Sequence, residues 1–129
     1  MCVAHQAQSV VENSSDAFAE KLLSTLNQGA LCLMVSVGHR TGLFDAMAEL
    51  PPSTSEEIAV AAGMNERYVR EWLGAMVTGE VVRIDPVSGK FELPSSHAAC
   101  LTRKNPSDNM AVFAQYIPGL GYVEDEIVD

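Results

Sequence analysis

Positive charge is what this sequence has least of. Eight lysines and arginines face seventeen aspartates and glutamates, for a formal net charge of −9 and a pI near 4.6. The summed field repels phosphate backbones and anionic lipid, which argues against nucleic-acid and membrane partners unless a local basic patch overrides it. Cysteine is sparse too: Cys2, Cys32 and Cys100 are odd in number, widely separated and form no CxxC pair. That pattern fits reduced thiols in a cytoplasmic protein rather than a disulfide framework. Long apolar runs are missing. The longest, Ala30 to Val37, falls far short of the ~20 residues of a membrane span, and no charged stretch precedes an apolar one near Met1, so no secretory leader is expected. Histidines are isolated. Only His97 and Cys100, three apart on a predicted helix, could share a metal ion, and no second pair completes a tetrahedral site, so no metal is expected. His5 and His39 stand alone, and nothing in the spacing brings Cys32 or Cys100 beside a histidine base as nucleophilic catalysis requires. No glycine-rich turn between a strand and a helix is present either; Gly119-Leu120-Gly121 follows a predicted helix.

What is there is apolar and patterned. At 47% hydrophobic and 19% charged, the 129 residues can bury enough surface for one compact domain with appendages, but not for a second catalytic domain. Residues 1–14 read as a flexible arm, 15–104 as the domain and 105–129 as a connector segment. A first helix is expected from Ser14 or Ser15 through Phe18, Leu22, Leu23 and Leu26, broken at Asn27-Gln28-Gly29. A second, Ala30 to Arg40, carries Leu31, Leu33, Met34, Val35 and Val37 on nearly every side. A helix apolar all round needs cover all round. These N-terminal helices are therefore assigned to a homodimer interface, with Leu22, Leu26, Leu31, Leu33, Met34 and Val35 as its residues.

Thr41 to Leu101 reads as a winged helix-turn-helix. Pro51-Pro52-Ser53 ends a Leu43-Phe44-Met47-Leu50 helix, and Thr54-Ser55-Glu56-Glu57 has the form of a capping box. Gly63 permits the left-handed turn, and Asn65 caps a helix whose Val69, Trp72, Leu73 and Met76 share one stripe. Gly79 ends that helix, and residues 81–84 and 90–93 form a two-stranded wing around a five-residue loop. Ser95 or Ser96 is expected to cap a short helix to Leu101. Another should open at Asn105-Pro106-Ser107 with Met110, Phe113, Ala114 and Ile117 on one stripe, until Pro118-Gly119-Leu120-Gly121 breaks it. Met34, Met47, Met64, Met76 and Met110 are assigned to apolar core positions. The fold class is mainly α: a winged helix-turn-helix with a small wing and extra N-terminal dimerisation helices. Its recognition region is nonetheless acidic, with six acidic residues and two basic ones between Leu43 and Gly79. Affinity for DNA comes largely from neutralised phosphates, and this surface lacks the means.

Thr41 to Ala46, Asn65 to Val77, and Phe91-Glu92-Leu93-Pro94 with His97-Ala98-Ala99 resemble the N-terminal winged-helix region of bacterial-type S-adenosylmethionine-dependent methyltransferases. The resemblance implies a domain that dimerises and closes as a lid over the substrate of a following catalytic domain. Phe113, Tyr116, Ile117 and Tyr122 are the substrate-lid candidates on the stretch that would lead into it. No catalytic or cofactor-binding residue carries over, because the strand-loop-helix that holds S-adenosylmethionine in the full-length family is not found through Asp129; the chain is expected to be a fragment of that plan. The alternative from the residues alone is a free-standing winged-helix transcription regulator. The resemblance predicts that the chain by itself gives no heat with S-adenosylmethionine in isothermal titration; a saturable signal would contradict it.

Overall fold

The computed structural model describes residues 14–129. Apart from Ser14, the flexible arm expected over residues 1–14, including Cys2 and His5, lies outside them. The chain divides into two compact units, through Ala30 and from Leu31 onward.

Helix α1 runs over Ser15–Thr41. The Ser14 hydroxyl accepts the amide of Ala17 at 3.1 Å, the N-terminal cap that the sequence predicted. The expected break at Asn27-Gln28-Gly29 does not occur, so the two N-terminal helices are one. Asn and Gly cost a helix interior only about 1 kcal/mol or less each, and without a proline every backbone donor keeps its partner.

Gly42 at φ 77 turns the chain into α2 (Leu43–Ala48), which buries Leu43, Phe44 and Met47. Helix α3 (Ser55–Ala62) starts with the predicted capping box: Thr54 Oγ1 accepts from the Glu57 amide, and the Glu57 carboxylate accepts from the Thr54 amide. Gly63 at φ 65 closes it. After a short turn Asn65 caps α4 (Glu66–Thr78), whose Val69, Trp72, Leu73 and Met76 are buried as predicted. Gly79 does end α4, but the left-handed residue is Glu80, at φ 60. A Cβ at Gly79 would press on the end of the Leu31 side chain, which would have to shift.

The wing is shorter than predicted. Strands β1 (Arg83–Ile84) and β2 (Phe91–Glu92) pair antiparallel, with Arg83 opposite Glu92 and Ile84 opposite Phe91. Val81 and Val82 are not in the strand because both amides turn back to the Met76 carbonyl, at 2.8 and 3.2 Å. Ser53 instead bridges to Phe91, through hydrogen bonds of 3.0 and 2.7 Å. Helix α5 (Ser95–Leu101) begins after Pro94 with no side-chain cap, so neither Ser95 nor Ser96 plays the expected role.

The single helix expected from Asn105 is replaced by turns, a 3-10 helix (Ala111–Gln115), α6 (Tyr116–Tyr122) and α7 (Glu124–Val128). The buried Asn109 starts it by accepting the Ala111 amide at 3.0 Å. A 3-10 helix repeats every three residues, so Ala111 and Ala114 face inward, while Met110 and Phe113 are exposed. That corrects the predicted stripe and the core assignment of Met110. Pro118-Gly119-Leu120-Gly121 lies inside α6 rather than breaking a helix, because Pro118 occupies the first turn, where no amide donor is needed.

One core joins α2, α3, α4, Val82, Leu93 and Ala111, and Leu31, Met34 and Val35 of α1 pack on it. Trp72 is its hinge pin. Its ring meets Phe44 edge-on at 5.2 Å, and its Nε1 donates to the Met34 carbonyl at 2.9 Å. Gly38 lets α1 approach this pair: a Cβ there would lie 2.5 Å from Trp72 and 2.6 Å from Phe44. Gly38→Ala should therefore destabilise the protein by about 1–3 kcal/mol through overpacking. Urea unfolding followed by Trp72 fluorescence checks this, and an unchanged midpoint would refute the close contact.

Candidate functional site

Two surfaces compete for function, the outer face of the helix-turn-helix and the apolar flank around α1 and the 3-10 segment. The first has the geometry of a nucleic-acid reader without its charge. Arg67, Tyr68, Arg70, Glu71 and Gly74 of α4 face solvent. Arg70 pairs with Glu66 at 3.7 Å, and Glu66 also accepts from the Ser55 hydroxyl at 2.8 Å. In the wing, the Asp85 carboxylate accepts from the Ser88 hydroxyl and from the Val87 and Ser88 amides. These bonds, that of the Ser88 hydroxyl foremost, hold its carboxyl below the usual aspartate range. Arg83 and Lys90 share the hairpin with Asp85 and Glu92, so the wing adds no net positive charge.

Nor do His97 and Cys100 look outward together to a ligand set. His97 Nδ1 donates to the Val81 carbonyl at 2.8 Å, which ties α5 to the base of the wing. Among the described residues, no group of three or more His, Cys, Asp or Glu side chains could hold a metal ion. Cys32 is half-buried and Cys100 exposed, both as free thiols.

Apolar side chains stand open in each unit. In the first unit Phe18, Leu22, Leu23 and Leu26 are exposed, 63% in the case of Leu26. In the second, Leu33 and Val37 face solvent, while Leu31, Met34 and Val35 are half-buried against their own core. The six proposed interface residues thus fall into an outward set (Leu22, Leu26, Leu33) and an inward one (Leu31, Met34, Val35). The lid candidates are exposed to different degrees: Phe113 54%, Tyr116 67%, Ile117 39% and Tyr122 90%. Phe113 and Tyr116 stack at 6.3 Å, so two of the four form one aromatic ledge. Exposed Leu120 was missed because its neighbours read as a helix breaker. A cleft of about 490 Å³ lies on this flank, lined by Leu33, Met34, Val37 and Pro118 with Ser36, Arg40 and Thr41.

A polar cluster also escaped the sequence. The Arg103 guanidinium pairs with the Asp45 carboxylate and donates to the His39 carbonyl at 2.6 Å, and the Arg103 amide donates to Asp45 at 2.8 Å. These partners are 58 and 64 residues distant in the chain, beyond the reach of any spacing rule.

Comparison with known proteins bears on these surfaces. The family described as the Rv2258c-like winged HTH domain matches residues 29–103, more than half of the chain. No curated protein matches the chain in sequence. Among solved structures, human N-acetylserotonin methyltransferase in complex with SAM superposes with a TM-score of 0.69 at 18% identity, over 91% of this chain and 36% of that one. The mitomycin 7-O-methyltransferase MmcR gives a TM-score of 0.60 at 24% identity, over 77% of this chain and 30% of its own. The S-adenosylmethionine-dependent methyltransferase SibL, in its apo form, gives 0.61 at 20% identity, over 79% and 29%. At such identities the likeness is one of fold, and the chain spans about a third of the length of these enzymes.

The wing generates a prediction of its own. Asp85→Ala removes the carboxylate that accepts from Val87 and Ser88, so the Val87 and Ser88 amides should exchange faster while Trp72 emission stays unchanged. Since the folded carboxyl is held low, its contribution is full above the usual carboxylate range and is lost as pH falls through the folded value. Unchanged exchange at these amides, measured by NMR, would show that the loop holds without it.

Proposed function

Since the chain belongs to the family of Rv2258c-like winged helix-turn-helix domains, we propose that it is the dimerisation and substrate-lid domain of an S-adenosylmethionine-dependent methyltransferase, acting in the cytoplasm. The methyl donor would be held by a catalytic domain and not by these residues. The observation that carries this reading is exposed apolar area: large side chains of α1 and of the 3-10/α6 segment stand in solvent, while the helix-turn-helix carries no excess of positive charge. Exposed apolar area of this kind marks a surface that meets a partner. Leu22, Leu26 and Leu33 supply the outward contacts of the proposed homodimer, and Leu31, Met34 and Val35 stiffen the helix behind them by packing on the core. Phe113, Tyr116, Ile117 and Tyr122 present the aromatic side of the lid, where a flat, largely apolar methyl acceptor would be covered and water excluded. The solved enzymes whose names specify methyltransferases support the reading through their shared fold.

Light scattering at tens of micromolar should give twice the 13.9 kDa of one chain. Replacing Leu33 and Val37 by Glu should raise the dimer Kd by about tenfold or more, since losing one good interface anchor costs upwards of about 1.4 kcal/mol. Trp72 emission should be unchanged, as both side chains lie outside the core. A wild-type monomer at that concentration would overturn the dimer. Salt-sensitive, sequence-specific DNA retardation abolished by Arg67→Ala and Arg70→Ala would replace the lid with a regulator.

A further inference from the structure

Arg103 is the first residue past the Thr102 cap of α5, where the chain leaves the winged helix for the 3-10 segment. Its side chain crosses to two other elements. It neutralises Asp45 of α2 and donates to the carbonyl of His39 in the last turn of α1. The backbone joins in, because the Arg103 amide also donates to Asp45. Three elements of the chain therefore converge on one guanidinium–carboxylate pair: α1, α2 and the segment that follows α5.

The His39 imidazole shares this cluster and takes no part in the bonding. The residue is 8% exposed, and its Nδ1 is buried with no hydrogen-bond partner among the described residues. The charged groups that face it are Arg103, from the segment after α5, and Asp45, from α2. A neutral ring tolerates that setting. An imidazolium does not, because it places a second cation beside Arg103 and a buried N–H with no acceptor, and the nearest anion is the carboxylate Arg103 already uses.

We infer that Arg103, Asp45 and His39 form an acid-released latch that holds the segment after α5 against the end of α1, with protonated His39 competing with Arg103 for Asp45. Burial first, and Arg103 second, keep His39 below the ordinary histidine range, with Asp45 opposing them. A group with a depressed folded pKa that is cationic when protonated stabilises the closed form above its unfolded pKa, near 6.5. That stability is lost as pH falls from there towards the folded value. The latch is thus closed at neutral pH and loosens on mild acidification. The inference does not depend on the proposed lid role, since it concerns the anchoring of residues 103–110 in the chain itself.

Amide hydrogen exchange of residues 103–110, corrected for the intrinsic pH dependence, tests it. Between about pH 7.5 and about pH 5.5, protection should fall by roughly fivefold or more in the wild type. His39→Gln should abolish the pH response, and Asp45→Asn should leave the segment open at both pH values. A flat wild-type profile, or a His39→Gln protein that responds as the wild type does, overturns the latch. If His39→Gln fails to fold, NMR on the wild type decides. His39 ring and Arg103 guanidinium signals that move with one midpoint support the coupling, and an Arg103 signal that stays constant while His39 titrates overturns it.

Discussion

Trp72 against α1 is the contact on which the other packing depends. The indole hydrogen bond to the Met34 carbonyl and the edge-on contact with Phe44 join α1, α2 and α4 at one point. The contact exists only because Gly38 removes a side chain there. A second close approach, Leu31 over Gly79, seats the same helix against the C-terminal cap of α4. With α1 seated, Gly42 sets the angle of α2, and the helix-turn-helix and wing follow from the caps at Thr54 and Asn65. The apolar residues of α1 then divide by geometry. Those on the glycine side pack inward, and Leu33 and Val37 are left facing solvent.

Local chemistry was legible wherever one residue determines one hydrogen bond or one dihedral. The Thr54–Glu57 box, Asn65, Gly63 and the Val69-Trp72-Leu73-Met76 stripe appear in the structure as the sequence predicted. Failures occurred where tertiary context outweighs propensity. Asn27-Gln28-Gly29 reads as a break, yet a long helix absorbs it. Pro118 reads as a stop, yet it begins a turn of helix. The change from α to 3-10 period at Ala111 is invisible to a 3.6-residue template, and it reverses which side chains point outward. Of the site, the identity of the apolar residues was readable, but their division between interface and core was not, because it depends on two glycine contacts. The Arg103 cluster could not be read at all, since its partners are brought together only by the fold.

The two candidate surfaces differ in what their side chains have left to do. On α4 and the wing, Arg67, Arg70, Arg83 and Lys90 are matched in number by Glu66, Glu71, Asp85 and Glu92, so no net positive charge remains to attract a polyanion. On the flank, Phe113, Tyr116, Leu120 and Tyr122 have large rings or branched chains in water, and burial of such groups is the main source of association energy.

The alanines at 111 and 114 set unequal rules for change along this stretch. Each sits against the body of the domain with almost no free surface, so a larger residue at either would lift the segment away. Their neighbours Met110, Val112 and Phe113 are exposed and lie outside the core, Phe113 stacking on Tyr116 instead. Selection can therefore exchange the outward positions one at a time without disturbing the fold. New apolar preferences can thus arise at three residues, while the two small ones hold the segment down.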